Sequence, residues 1–365
     1  MALSRTHRVQ RTGRSSLSVT LPKTWTTARD LRLGDPVVFR QREDGVLELS
    51  LAAEREAGET GPARTVSIDA AGARPEAICR LLVGAYITGE DHIVVLNVPP
   101  ECRREMDHID RAVKHLVGMS LVSDTENRVE FEVFVDPAKY QHAALHRRLS
   151  QMLHTEVETL RQALTRGDAH LLDALESIED EIDRFYYLIA RQVHLALDDS
   201  RIARMSGMAN HDVQLGCQTI GKLLEGIGDL LRSVGADLAI ALSGAAPPSA
   251  AVREDLADML GRFDRVLGAT VTNLADLRPS ELDVTLEGIL STGAAISGIR
   301  EQLSRAPWDR ETGLLVQGIG IRIQMGLELL KIVVETVINR AMAPEIVAGS
   351  GFRPVVAGTA PKVPA

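Results

Sequence analysis

From Ala138 to about Ala343 apolar residues recur at three-to-four spacing, and this constrains the fold more than anything else in the chain. Leu171, Leu175, Ile178, Ile182, Phe185, Ile189, Val193 and Leu197 mark one seam; Ile220, Leu224, Ile227, Leu231, Val234 and Leu238 mark another. Such spacing places a stripe on one helix face, which is stable only when buried against other helices. Breaks near Gly167-Asp168, Asp198-Asp199, Gly244–Ser249, Arg278-Pro279-Ser280 and Ala306-Pro307 delimit about six helices. The proline-containing loop at Gly244–Ser249 divides them into two sets of three. Aromatic residues make up only 3% of the chain, so Leu, Ile, Val and Ala must fill the core. The expected fold is mainly α.

Ahead of the helices the period changes. Thr65–Asp69, His92–Val98 and Arg128–Val135 read as strands; Glu76–Thr88, opened by Pro75, and Glu101–Leu116 read as helices. This β-α-β-α-β pattern predicts a small α/β domain at residues 65–137, with the helical region at 138–343. Gly89 reads as a helix terminator, and no Gly-rich phosphate loop is present. Residues 344–365, rich in Gly, Pro and Ala without periodicity, read as a disordered tail.

The N-terminal segment, residues 1–51, differs in charge. Arg5, Arg8, Arg11, Arg14, Lys23, Arg29 and Arg32 face Asp30 alone before Gly34-Asp35, whereas the whole chain carries a formal charge of -9. A basic module on an acidic body points to nucleic acid. Val9, Leu17, Val19 and Leu21 alternate with polar neighbours as in a half-buried strand, Gly13 supplies a turn, and Pro22 opens a short helix through roughly Ala28. So short a module buries little core alone, so a homodimer is expected. Arg8, Arg11, Arg14 and Lys23 are the candidate DNA-binding residues. The residues Gly13-x-Ser15, Val19-x-Leu21-Pro22-Lys23 and Leu31-x-x-Gly34-Asp35-x-Val37 resemble the swapped-hairpin DNA-binding domain of the AbrB/MazE/SpoVT class. That resemblance implies two chains interleaving hairpins into a dimeric β barrel whose first hairpin faces DNA.

Glu179 and Asp183, and likewise Glu225 and Asp229, stand four residues apart and share a helix face. Packed side by side, those helices would bring four carboxylates together, a cluster that raises pKa values or recruits a hard cation. A solvated acidic edge accounts for the same spacing. Lys222-Leu-Leu-Glu225-Gly-Ile-Gly-Asp229-Leu and Glu179-Asp-Glu-Ile-Asp183-Arg-Phe-Tyr186 resemble the signature stretches of the PhoU family. The resemblance implies tandem three-helix bundles and a divalent or iron-type metal ion at Glu179, Asp183, Glu225 and Asp229. Gly226 and Leu230 depart from the family pattern, and the second set offers only Gln324 with Glu328 and Glu287 with Ser291, so at most one cluster survives. An AbrB-like module, an α/β segment and PhoU-like bundles together resemble the archaeal-type phosphate uptake regulators. The implied function is a DNA-binding transcriptional regulator of phosphate uptake, whose helical half meets a phosphate transporter ATPase or a sensor protein. The alternative is a PhoU-type adaptor acting by protein contacts alone.

No catalytic constellation stands out, and no enzyme activity is expected. Cys79, Cys102 and Cys217 are scattered, which suits a reducing cytoplasm, and no apolar run approaches the ~20 residues that span a bilayer. The histidines, His92, His108, His115, His142, His146 and His154 among them, read as surface residues.

Overall fold

The computed structural model describes residues 7–13, 16–28, 30–41, 47–51, 63–100, 102, 109, 113–244, 247–274, 279–305, 308 and 310–341. Met1–Ala63 and the chain from Arg64 onward form two compact units.

The first unit holds two short antiparallel hairpins and a helix. β1 (Gln10–Thr12) pairs with β2 (Ser16–Ser18), setting Arg11 opposite Leu17. The Gly13 turn between them has φ 82°, a backbone that glycine adopts without strain. α1 (Lys23–Ala28) follows Pro22, whose carbonyl accepts the Trp25 and Thr26 N–H groups. β3 (Val37–Gln41) pairs with β4 (Leu47–Leu51), placing Phe39 opposite Leu49. The strands are shorter than the alternation predicts, and Val9, Val19 and Leu21 fall outside them. Among the described residues of this unit none is buried, and Val9, Leu17, Val19, Leu33, Phe39 and Leu47 are each more than half exposed.

The second unit opens with a four-stranded mixed sheet. β5 (Thr65–Asp69) leads through α2 (Pro75–Ile87) to β6 (His92–Leu96), its parallel neighbour. β7 (Met119–Thr125) and β8 (Arg128–Val133) form a hairpin, and the strand order is β5-β6-β8-β7. β7 is absent from the sequence expectation for a physical reason. It is an edge strand with only Met119 buried, and a register shift between Leu121 and Ser123 destroys its alternation. Most of the predicted helix Glu101–Leu116 lies outside the described residues; Cys102 and Ile109 within it are helical and buried. Ile78, Leu82, Tyr86, Ile93, Val95 and Phe131 form the core of this layer.

The rest of the unit is helical: α3 (His142–Arg166), α4 (Leu175–Asp198), α5 (Ser200–Met205), α6 (His211–Ser243), α7 (Ala250–Asn273), α8 (Pro279–Ser304) and α9 (Arg310–Ala341). The long helices fall between the predicted breaks; the short α5, its start capped by the Asp199 carboxylate, and a 3-10 turn at Ala169–Ala174 are additional. α3 ends at Gly167 in the left-handed conformation, and Asn210 caps α6. α3, α4 and α6 pack against one another, as do α7, α8 and α9, and the trios meet along α6–α9 and α3–α7. One continuous apolar core runs through both. The structure is thus mainly helical, with its described strands all ahead of residue 134. The predicted tail, residues 344–365, lies outside the described residues.

Candidate functional site

The carboxylates read from the sequence sit on facing helices. Glu179 is 7% and Glu225 6% exposed, so neither belongs to a solvated edge. Glu179 projects from α4 onto α6 at Gly228, where an added Cβ would stand 2.9 Å from its Oε2. The missing side chain at Gly228 is what admits the carboxyl. Burial, then the charges of Asp183 and Asp229, pushes the Glu179 pKa up to about 8. Its Oε2 is buried without a hydrogen-bond partner.

The other three have cations of the protein beside them. Lys222 Nζ lies 2.6 and 2.7 Å from the two Glu225 oxygens, and 5.0 Å from the Tyr186 ring centre. Burial nevertheless raises the Glu225 carboxyl against the pull of Lys222. Asp229 lies 3.7 Å from Arg232, and Asp183 3.7 Å from His115 Nδ1. His115 also approaches Asp180 at 3.2 Å, and its pKa is raised by these carboxylates, Asp183 foremost. Among the described residues no group of three or more His, Cys, Asp or Glu side chains is placed to hold a metal ion.

A fifth carboxylate escaped the sequence reading. Glu156 on α3 is fully buried with both oxygens unpartnered, and burial followed by the Glu179 charge drives its pKa well up. The signal was present: Leu149, Leu153, Glu156 and Leu160 follow the apolar spacing of α3, with an acid in a core position. Both carboxyls are pushed toward the neutral acid, because burial and their mutual repulsion outweigh the pull of Arg232.

The histidines are likewise not all at the surface. His146 is 4% exposed, with Nδ1 2.9 Å from the His142 carbonyl and Nε2 3.0 Å from the Cys217 carbonyl. Burial lowers its pKa to about 4, so the ring is neutral and its single N–H serves only one of those carbonyls. His142 sits four residues earlier on the same face, half-buried, with Nδ1 2.9 Å from the Ser206 carbonyl. The H-x-x-x-H spacing of the pair was the overlooked signal.

In the first unit Arg8, Arg11 and Lys23 are exposed; Arg14 lies outside the described residues. Among the described residues none of those three side chains is ion-paired, whereas Arg32 is held by Asp30 at 2.7 Å. Asp35 accepts the Arg32 backbone N–H at 2.7 Å and closes the Leu-x-x-Gly-Asp turn, with Gly34 at φ 98°. Arg11 lies on the first hairpin, Arg8 just ahead of it and Lys23 at the start of α1.

No protein-family model and no curated protein matches this chain. No helix among the described residues is long and apolar enough to cross a membrane.

Proposed function

We propose that the chain is a DNA-binding transcriptional regulator of the phosphate-uptake type, with a basic N-terminal dimer reading DNA and a helical half that receives the signal. The observation that carries this is the first unit, where Arg11 on the first hairpin, Arg8 just ahead of it and Lys23 at the start of α1 are exposed and, among the described residues, not ion-paired, beside exposed apolar side chains. Exposed Val9, Leu17, Phe39 and Leu47 need a partner, and a second copy supplies matching surfaces. Two trios of mutually packed helices support the reading of the second unit as tandem three-helix bundles. The phosphate link rests on the resemblance at Glu179–Tyr186 and Lys222–Leu230. A divalent or iron-type metal ion at Glu179, Asp183, Glu225 and Asp229 belongs to the same reading, and it requires Lys222 and His115 to give way. Metal content unchanged in both Glu179→Gln/Asp183→Asn and Glu225→Gln/Asp229→Asn would remove that element.

The test is genome-wide DNA occupancy of the tagged protein in phosphate-rich and phosphate-starved cells, beside an Arg8→Ala/Arg11→Ala variant. Discrete peaks near phosphate-transport genes, altered by starvation and lost in the variant, support the regulator. Absence of enrichment in both conditions leaves the first unit as a dimerisation device and the protein as an adaptor.

A further inference from the structure

Residues of α3, α6, α7 and α9 line a small half-open cleft near the end of α9. Its polar lining is Arg147 and Arg340 with His142 and His146, and includes no carboxylate. Ile220 and Leu274 are among the apolar residues that complete the wall.

Arg340 is the unusual member. It extends the apolar spacing Leu330, Val333 and Val337 of α9 and is itself only 9% exposed. Its stem crosses Gly216 of α6, where an added Cβ would stand 2.3 Å from Arg340 Cδ. Its Nε is buried with no hydrogen-bond partner, and among the described residues no carboxylate pairs with it. Arg147, on the rim, is exposed and equally without an acidic partner. Buried guanidinium groups are normally paired, because their N–H fork otherwise loses both water and an acceptor.

The histidines define the remainder. His146 has both nitrogens turned to carbonyls and is a wall rather than a donor. His142 commits Nδ1 to the Ser206 carbonyl, and no described hydrogen bond uses its Nε2. Burial, with Arg340 adding to it, disfavours the charged form of His142. An anion there reverses that balance, giving Nε2 a proton and the cleft a third donor.

We propose that this cleft binds a small tetrahedral oxyanion of the phosphate or sulfate class, gripped by Arg340 and Arg147 with His142 as the third contact. Guanidinium forks match such oxygens in pairs, and the missing acidic partner is what the ligand supplies. The site is separate from the DNA-facing hairpins and from the Glu179 cluster, and it stands whether or not the chain binds DNA.

Equilibrium dialysis of the full chain against labelled inorganic phosphate tests it, with sulfate and chloride as competitors. The expected result is saturable binding, displaced by sulfate and not by chloride at equal ionic strength, and weakened about tenfold or more in Arg340→Met and in Arg147→Met. Arg147 is exposed, so its variant decides the matter even if Arg340→Met fails to fold. Absence of binding to the wild type, displacement by chloride as readily as by sulfate, or unchanged affinity in Arg147→Met overturns the proposal.

Discussion

Arg191 Nη2 lies 2.8 Å from Asp91 Oδ1, and this pair stitches the helical layer to the sheet layer. Arg191 is fully buried in α4; its other terminal nitrogen donates to the carbonyls of Tyr86 at 2.7 Å and Glu90 at 2.9 Å. Its guanidinium also lies 5.0 Å from the Tyr86 ring centre. Asp91 is held in turn by the backbone N–H of Arg64 at 3.1 Å.

Because one buried cation satisfies two chain carbonyls and a carboxylate, Arg191→Met leaves several acceptors unpaired at once. The expected loss is about 3–5 kcal/mol, read as a lower urea midpoint. Asp91→Asn removes only one charged contact and loses about 1–3 kcal/mol. Equal midpoints for wild type and Arg191→Met contradict this account.

Glu179 gives a pH dependence of definite sign. Its carboxyl rises from 4.5 in the unfolded chain to about 8 in the folded one, so between those values the folded state holds the extra proton. Stability therefore falls as pH rises through that window. Glu179→Gln removes the contribution. Comparing urea midpoints at pH 5 and pH 8.5, the variant loses less than the wild type, by on the order of 1–3 kcal/mol. Glu156→Gln moves in the same direction, its carboxyl being raised by burial as well.

Salt separates specific phosphate contact from a merely basic surface. If Arg8, Arg11 and Lys23 each neutralise a DNA phosphate, the slope of log affinity against log salt shrinks by about 0.9 for every side chain replaced by alanine. Fluorescence anisotropy over a salt series measures it, and an unchanged slope in the triple variant excludes these residues as contacts.

The exposed apolar side chains of the first unit make a second prediction. Leu17→Glu/Phe39→Glu places charges where the proposed dimer would bury apolar side chains, and sedimentation velocity is expected to show a dimer for the wild type and a monomer for the variant. Melting of the helical unit is unaffected, because Leu17 and Phe39 belong to neither of its core clusters.

Helix ends were legible because their causes are local. Gly167 and Asn210 stop and start helices through their own backbone and side chain. β7 was not, since an edge strand with one buried residue leaves no alternation to read. For the carboxylates, i,i+4 spacing identified the shared face of Glu179 and Asp183. Their burial depends on Gly228 of another helix, which no local pattern encodes. Glu156, His146 and Arg340 carried a usable signal, a polar residue in an apolar register, but core periodicity tempts a reader to pass over such positions.

One helix meets two neighbours at two depths. α4 presents Glu179 to α6 near its start and Arg191 to the sheet layer roughly 18 Å further along, at 1.5 Å per residue. A packed helix of that length behaves as a rigid rod on this scale. Arg191 is bonded to Tyr86, Glu90 and Asp91, whereas Glu179 Oε2 has no hydrogen-bond partner, so of the two it is Arg191 that anchors the helix.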